Sequence, residues 1–261
     1  MVTGVAGLIG NVVWQHLNKS PDKYDVYGLA RRFQPSVRLR SGMSPVPADK
    51  WRLADIAEFD AMRRALQGMD VVVHMAAEPR GDAPWESVLR NNVTGAYNMY
   101  EACRLNGVKR VVYASTVMVS WGYQYNEAYK PIAEGRYDDM PKGFQKVTKE
   151  MATRPTDLYP ASKVWGEALG RVYADVYGLS VICLRIGSVN DPDKPSDRPW
   201  VRDVWCSQRD IAQIVEKCVS APDSVHFDIF YGISNNKYGF VDIEHARKVI
   251  GYKPQDSADK L

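Results

Sequence analysis

The sequence predicts a doubly wound α/β protein, in which helices cover both faces of a parallel sheet and a small C-terminal cap is added. Two observations predict this fold. Short apolar runs, typical of buried strands, alternate with longer segments that repeat apolar residues at helical spacing. A glycine-rich turn also stands directly before the first helical segment, where such folds bind ligands.

Each element follows from its local pattern. Buried strands are expected over residues 24–30, 71–75, 110–114 and 179–184. Helices are expected over residues 8–17, 59–66, 86–105 and 160–177. Only Met1 and Val2 precede the first glycine turn, so either the first strand is stunted or the natural start lies upstream.

Residues 1–188 are expected to form a dinucleotide-binding domain. Beyond them the pattern loosens, and the segments 209–219, 227–231 and 243–250 are too few for a second full domain. Residues 189–261 therefore predict a small cap on the substrate side, interleaved with the first domain.

Composition excludes several classes of protein. The 261 residues are 45% hydrophobic and carry a net charge of +3 with a pI of about 8.5, which does not indicate a nucleic-acid partner. No apolar run approaches the roughly 20 residues that cross a bilayer, and no signal peptide opens the chain. The four cysteines lack the spacing of a metal site or a disulfide scaffold. We expect a cytoplasmic protein without a membrane partner or a metal.

The turn after the first strand is the first candidate ligand site. Gly4, Gly7 and Gly10 permit a tight turn, and the backbone around Leu8 and Ile9 can approach a pyrophosphate at a helix N-terminus. Directly after a strand and before a helix, this spacing indicates a dinucleotide.

The end of the second strand indicates which dinucleotide is bound. Arg31 and Arg32 stand where an acid would hold the ribose of NAD, whereas Asp25 lies ~15–20 Å away at the start of that strand. NADP is therefore expected, with NAD possible. Asp55, followed by Ile56, is either a helix N-cap or a partner of the adenine amino group. The small residues Ala76 and Ala77 allow the cofactor to pass close to the backbone.

A tyrosine and a lysine stand one helical turn apart in the sequence Tyr-Pro-Ala-Ser-Lys. Tyr159 and Lys163 share a helix face, so both can reach one substrate atom. Bringing a tyrosine pKa from about 10 to about 7 takes roughly 4 kcal/mol, and a desolvated cation can supply much of it.

Five motifs in this order resemble the extended short-chain dehydrogenase/reductase family, whose members include NAD-dependent epimerases and dehydratases. They begin at Thr3, His74, Asn91, Tyr113 and Tyr159. The resemblance implies that Tyr159 is the general acid or base, that Lys163 binds the nicotinamide ribose, and that Thr116 polarises the reacting oxygen, with Ser115 as a substitute. It also adds Asn92 and Ile186 to the candidate cofactor residues.

The run Arg-Ile-Gly-Ser at 185–188 and the short length are similar to the uronate dehydrogenase branch. That resemblance implies that Ser188 and a loop arginine, Arg198 or Arg202, hold a sugar acid. The chain departs from the branch in three places. Val117-Met118 replaces an Asn-His pair, Arg31-Arg32 replaces an aspartate, and the long polar segment 127–153 predicts a lid or an oligomer contact.

The sequence thus predicts an oxidoreductase that moves hydride between NADP and a sugar, a sugar acid or a similar small polar alcohol or carbonyl compound. Two alternatives remain: a nucleotide-sugar epimerase or dehydratase, and an NADP-binding redox sensor without catalysis. The resemblance further implies a homodimer that pairs helices 86–105 and 160–177.

Overall fold

The computed structural model describes residues 1–40 and 42–260 and contains one parallel sheet. Its strand order is β3-β2-β1-β4-β5-β6-β7, in which every neighbouring pair is parallel. The strands are β1 Val2–Thr3, β2 Gly28–Ala30, β3 Trp51–Leu53, β4 Val71–His74, β5 Arg110–Thr116, β6 Ser180–Ile186 and β7 Phe227–Gly232. The order reverses at β1, so a ligand crevice is expected beside the carboxyl ends of β1 and β4.

Helices cover both faces of this sheet. They are α1 Leu8–Leu17, α2 Phe59–Ala65, α3 Trp85–Val88, α4 Gly95–Leu105, α5 Lys130–Ala133, α6 Leu158–Tyr177, α7 Pro199–Arg202, α8 Gln208–Val219 and α9 Glu244–Ile250. α1 and α8 pack together on one face, whereas α2, α4 and α6 pack on the other. A π-helical turn, Leu89–Thr94, joins α3 to α4 without a break.

The predicted fold class is confirmed, with differences at individual strands. β2 is shorter than the predicted strand 24–30, and the sequence pattern missed β3 because three residues are too few to show alternation. β1 has only two residues. It is nevertheless paired with β2 and β4, and the amino group of Met1 donates to the Val71 carbonyl at 2.9 Å.

The cap has its own hydrophobic cluster, which includes the segment 127–153. Tyr129 and Ile132 pack with Trp200 and Phe240, whose rings stack with their centroids 3.6 Å apart. The Val147 backbone bonds to residues 240 and 242. This segment is therefore part of the cap core.

Residues 189–260 also contribute to the main sheet and its helices, because β7 is a strand of that sheet and α8 packs against it. The cap is interwoven with the rest of the chain, and a domain division at residue 188 stays a prediction.

Candidate active site

The glycine-rich turn is built for close approach of its backbone. Gly4 has a φ of +69°, and a Cβ placed there would lie 2.8 Å from the Ala76 nitrogen. A Cβ at Gly10 would lie 2.2 Å from the Gly4 carbonyl oxygen. α1 begins immediately after Gly7, with no side-chain cap and no acid in its first turn. The amide groups at this helix end therefore suit the pyrophosphate of a dinucleotide.

A cleft of about 700 Å³ runs from this turn across the carboxyl ends of the strands. Most of the residues that the sequence identified as candidates line it: Gly4, Gly7, Leu8, Ile9, Gly10, Arg31, Arg32, Asp55, Ile56, Ala76, Ala77, Ser115, Thr116, Tyr159, Lys163, Ile186, Ser188 and Arg198. Asn92 and Arg202 are not among the lining residues. The geometry fits a dinucleotide, because residues far apart in the sequence converge on one elongated cleft.

The end of the cleft beside β2 carries positive charge. Arg31 and Arg32 follow β2 and are both exposed. Partial burial opposes ionisation of Asp55, but the Ala57 amide and the Arg90 guanidinium, each 3.0 Å from its carboxylate, lower its pKa. The N-cap of α2 is Glu58, so of the two alternatives for Asp55 the helix N-cap is wrong, and the contact with the adenine amino group stays a prediction. Asp55 instead stabilises the turn that precedes α2, because its carboxylate accepts from the Ala57 amide two residues further along the chain.

Asn92 supports the cleft from behind. Its side chain is bonded to both the amide and the carbonyl of Glu78, at 2.8 and 3.0 Å, and donates to the Ser162 hydroxyl at 2.9 Å. The residue is buried and lies on the π turn between α3 and α4. It thus joins the loop after β4 to α6, a role that helical periodicity does not reveal.

Tyr159 and Lys163 lie in the first turns of α6, as the sequence predicts. The carboxylate of Asp157 caps this helix by accepting from the Tyr159 amide at 3.0 Å. The Lys163 side chain is 2% exposed, with its Nζ 5.9 Å from the Tyr159 ring centroid and 5.1 Å from that of Tyr113. The two groups face the cleft on one side of the helix.

Burial acts on the two groups in opposite directions. It lowers the pKa of Lys163 to about 7 and raises the pKa of Tyr159. The neighbouring Thr116 hydroxyl and the charge of Arg38 favour the phenolate and oppose that rise. This differs from the expectation that Lys163 lowers the tyrosine pKa, because a dry cleft penalises the ammonium as well as the phenolate.

Close packing holds α6 against the sheet. A Cβ at Gly166 would lie 2.0 Å from the Tyr113 hydroxyl, and one at Gly170 would lie 2.6 Å from that of Tyr100. Any side chain at these two positions would push the helix outward. The two glycines therefore set the distance between α6 and β5.

β5 ends at Thr116, beside Tyr159. The Thr116 hydroxyl lines the cleft and accepts from the Met118 amide at 3.2 Å, which caps the 3₁₀ segment Val117–Tyr125. The Ser115 hydroxyl instead donates to buried Glu167 at 2.5 Å. Adjacent strand residues point to opposite faces, so only one of the two can serve the cleft in this way. Ser115 is thus held by Glu167 and is a poor substitute for Thr116.

The far end of the cleft is largely apolar. Val117, Met118 and Trp121, which we call the apolar wall, line it together with Val201 and Val204. Ser188 and Arg198 add polar groups to this lining. The Arg202 guanidinium donates to the Tyr137 hydroxyl and to Asp203, outside the cleft lining.

The sequence did not single out several residues of this site. Arg38 and Trp121 line the cleft, and Glu167 with Arg185 forms a buried ion pair behind it. Glu167 left a signal in the sequence, since it continues the four-residue spacing of Tyr159 and Lys163, and Arg185 opens the Arg-Ile-Gly-Ser run, which assigned it no role. Neither a metal-binding group of three or more His, Cys, Asp or Glu nor a membrane-spanning helix occurs in residues 1–40 and 42–260.

Comparison with known proteins agrees with this geometry. Residues 1–201 match the NAD dependent epimerase/dehydratase family. The chain is 33% identical to an NAD-dependent glucose-6-phosphate dehydrogenase of Haloferax volcanii over 99% of its own length and 93% of that protein. It is 32% identical to an L-arabinose 1-dehydrogenase (NAD(P)(+)) of the same organism, over 98% and 96% of the two chains.

A crystal structure of a uronate dehydrogenase mutant from Agrobacterium tumefaciens, complexed with NAD, superimposes with a TM-score of 0.76 at 26% identity. The match covers 98% of this chain and 84% of that one. Both the fold and the relatives thus agree with the resemblance in the five motifs. The chain belongs to the NAD-dependent epimerase/dehydratase family, in the branch that includes the uronate dehydrogenases.

Proposed function

We propose that this chain is an NAD(P)-dependent dehydrogenase that oxidises the hemiacetal carbon of an aldose or a sugar acid to a lactone. The observation that carries the proposal is the convergence of Tyr159, Lys163 and Thr116 at one point of a cleft whose other end fits a dinucleotide. The similar proteins named above are dehydrogenases of a sugar phosphate, a pentose and uronates, which favours this class of substrate.

Each of the three side chains has its own role in the proposed reaction. The Thr116 hydroxyl holds the substrate oxygen, and Tyr159 as phenolate takes the hydroxyl proton. Lys163 binds the nicotinamide ribose through hydrogen bonds, and the Thr116 hydroxyl and the charge of Arg38 favour the phenolate. The dinucleotide supplies the hydride acceptor when it is bound. Because burial raises the pKa of Tyr159, oxidation should quicken as the pH rises.

A screen of uronic acids, aldoses and aldose phosphates, with NAD and NADP in parallel, tests the proposal. We expect reduction of the cofactor with at least one sugar and its loss in Tyr159→Phe, by roughly 100- to 10,000-fold. Undiminished turnover in that variant would refute the assignment. Conversion of nucleotide sugars without net cofactor reduction would favour an epimerase instead, although Val117 and Met118 offer no acid or base.

NADP is the dinucleotide that we propose the chain prefers. Arg31 and Arg32 line the end of the cleft beside β2, and two guanidinium groups suit a 2′-phosphate. The relatives named above include both NAD-dependent and NAD(P)-dependent enzymes. Replacing both arginines by alanine should raise the KM for NADP about 10- to 100-fold and leave that for NAD nearly unchanged. Equal effects on the two cofactors would contradict this preference.

A homodimer through α4 and α6 is also proposed. The outer faces of these adjacent helices expose large apolar side chains, and α6 alone exposes Trp165, Val172 and Val176, each by 44% or more. Patches of this kind mark interaction surfaces. Sedimentation should find a dimer at micromolar concentration, and Trp165→Glu should shift it toward monomer. A wild-type protein that sediments as a monomer would refute the proposal.

The cytoplasm is the proposed location. All four cysteines, Cys103, Cys183, Cys206 and Cys218, are buried free thiols. Such thiols persist best in a reducing compartment. Cell fractionation of the native host tests this directly, and recovery in an extracytoplasmic fraction would contradict it.

A further inference from the structure

A buried ion pair lies behind the catalytic residues. Both oxygens of the Glu167 carboxylate accept from Arg185, at 2.9 and 2.8 Å, and the two side chains are 6% and 3% exposed. One of these oxygens also accepts from the Ser115 hydroxyl at 2.5 Å. This network is separate from the cleft lining, apart from Ser115.

One end of the network fixes the catalytic helix to the sheet. Glu167 lies one turn beyond Lys163 on the face of α6 that meets the sheet. Ser115 precedes Thr116 on β5, and its register partner on β6 is Arg185. Glu167 therefore ties α6 to two strands beside the position where Lys163 must meet Thr116. The glycines of α6 set how close the helix lies, and Glu167 sets its rotation and its position along the strands.

The other end of the network reaches the substrate side. The second terminal nitrogen of Arg185 donates to the Tyr231 hydroxyl at 2.8 Å, and that hydroxyl is 2.7 Å from the Ser120 hydroxyl. Ser120 lies in the 3₁₀ segment Val117–Tyr125 and immediately precedes Trp121, which lines the cleft. The charge pair thus includes a residue of the helix of Tyr159 and is linked, through the Tyr231 hydroxyl, to the segment that carries the apolar wall.

We propose that Glu167 and Arg185 are positioning residues that set the catalytic helix and the apolar wall relative to each other. The role of the pair in catalysis rests on the proposed dehydrogenase function. A buried ion pair adds little net stability over well-packed apolar residues of similar size. Its directional bonds, however, define one orientation of the partners, which apolar contacts do not.

Two single variants separate the two ends. Glu167→Gln weakens the link to α6, and we expect kcat to fall about 100-fold with a smaller change in the KM for the sugar, since a misplacement of about 1 Å has that effect. Tyr231→Phe removes the link to Ser120, and we expect the sugar KM to rise about tenfold with kcat less affected. Glu101→Gln is the matched control, because Glu101 likewise bonds an arginine and the Tyr173 hydroxyl but lies away from the cleft.

A double variant distinguishes positioning from simple stability. Glu167→Met with Arg185→Met removes both charges, so folding should recover relative to Glu167→Gln while kcat stays low. Recovery of kcat together with stability would overturn the proposal. So would a wild-type kcat in folded Glu167→Gln.

Hydrogen exchange provides a measurement that does not need turnover. In Glu167→Gln, amides of residues 158–167 and 117–125 should exchange faster than in the wild type, whereas those of α8 should not. In Tyr231→Phe only residues 117–125 should change. If no sugar is oxidised by the wild type, the proposed function fails, and this exchange pattern still decides whether the pair holds both segments. Unchanged exchange in both segments would refute the positioning role.

Discussion

Replacing Lys163 by methionine should change how the stability of the fold depends on pH. Burial lowers the pKa of this lysine from 10.5 to about 7. Since one pKa unit corresponds to about 1.4 kcal/mol, keeping this amine buried costs on the order of 5 kcal/mol at low pH. Methionine has a similar length and no charge, so Lys163→Met should be the more stable protein at neutral pH.

The sign of the pH dependence follows from proton binding. Between about pH 7 and pH 10.5 the unfolded chain keeps the proton on this lysine, whereas the folded chain has lost it. The wild-type unfolding free energy should therefore rise with pH through this window relative to the variant. From about pH 7 to pH 9.5 the advantage of Lys163→Met should shrink by on the order of 3 kcal/mol.

Urea denaturation at several pH values, followed by tryptophan fluorescence, measures this difference. Lys130→Met is the control, because Lys130 is an exposed lysine on α5. Its stability should run parallel to the wild type across the pH range. Parallel curves for the wild type and Lys163→Met would refute the conclusion that burial controls the charge of this lysine.

Three further outcomes follow from the site. The rate of sugar oxidation should increase with pH until the Tyr159 phenolate forms, and a pH-independent kcat/KM would contradict a phenolate base. Arg198→Ala should raise the KM for an anionic sugar about tenfold and leave a neutral aldose unchanged, whereas Arg202→Ala should affect neither; equal effects of the two variants would exclude Arg198 as the anion contact. Gly166→Ala should destabilise the fold by about 1–3 kcal/mol, because its Cβ meets the Tyr113 hydroxyl, and Tyr113→Phe in the same chain should restore part of the loss in thermal unfolding; an unchanged melting temperature would contradict the close packing of α6.

Local spacing was enough to find the residues of the cleft that are close in sequence. Tyr159 and Lys163 share a helical turn. The glycines around α1 are recognised by their spacing, which is that of a tight turn before a helix. The same reasoning could not choose between Ser115 and Thr116. That choice depends on which face of β5 meets α6, and a strand pattern without its neighbours does not show this.

Contacts between distant segments decided the remaining assignments. The Arg202 guanidinium donates to the hydroxyl of Tyr137, 65 residues earlier in the chain, and so lies outside the cleft lining. The segment 127–153 packs in the cap core because Val147 pairs with residues beyond β7. The charge pair behind the cleft was also hidden, since its members stand on different elements and only the packed sheet brings them together.

Because of the π turn between α3 and α4, the number of residues before α4 determines where the Asn92 side chain lies. An α-helix turns by about 100° per residue, so removing one residue from Leu89–Thr94 would convert the turn to regular helix and rotate Asn92 away from Glu78 and Ser162. The two ends of the helical run would still bury the same apolar side chains. A shortening of this helix by a single residue should therefore leave a folded protein whose loop after β4 is no longer held in place, so insertions and deletions here would act on cofactor affinity more than on folding.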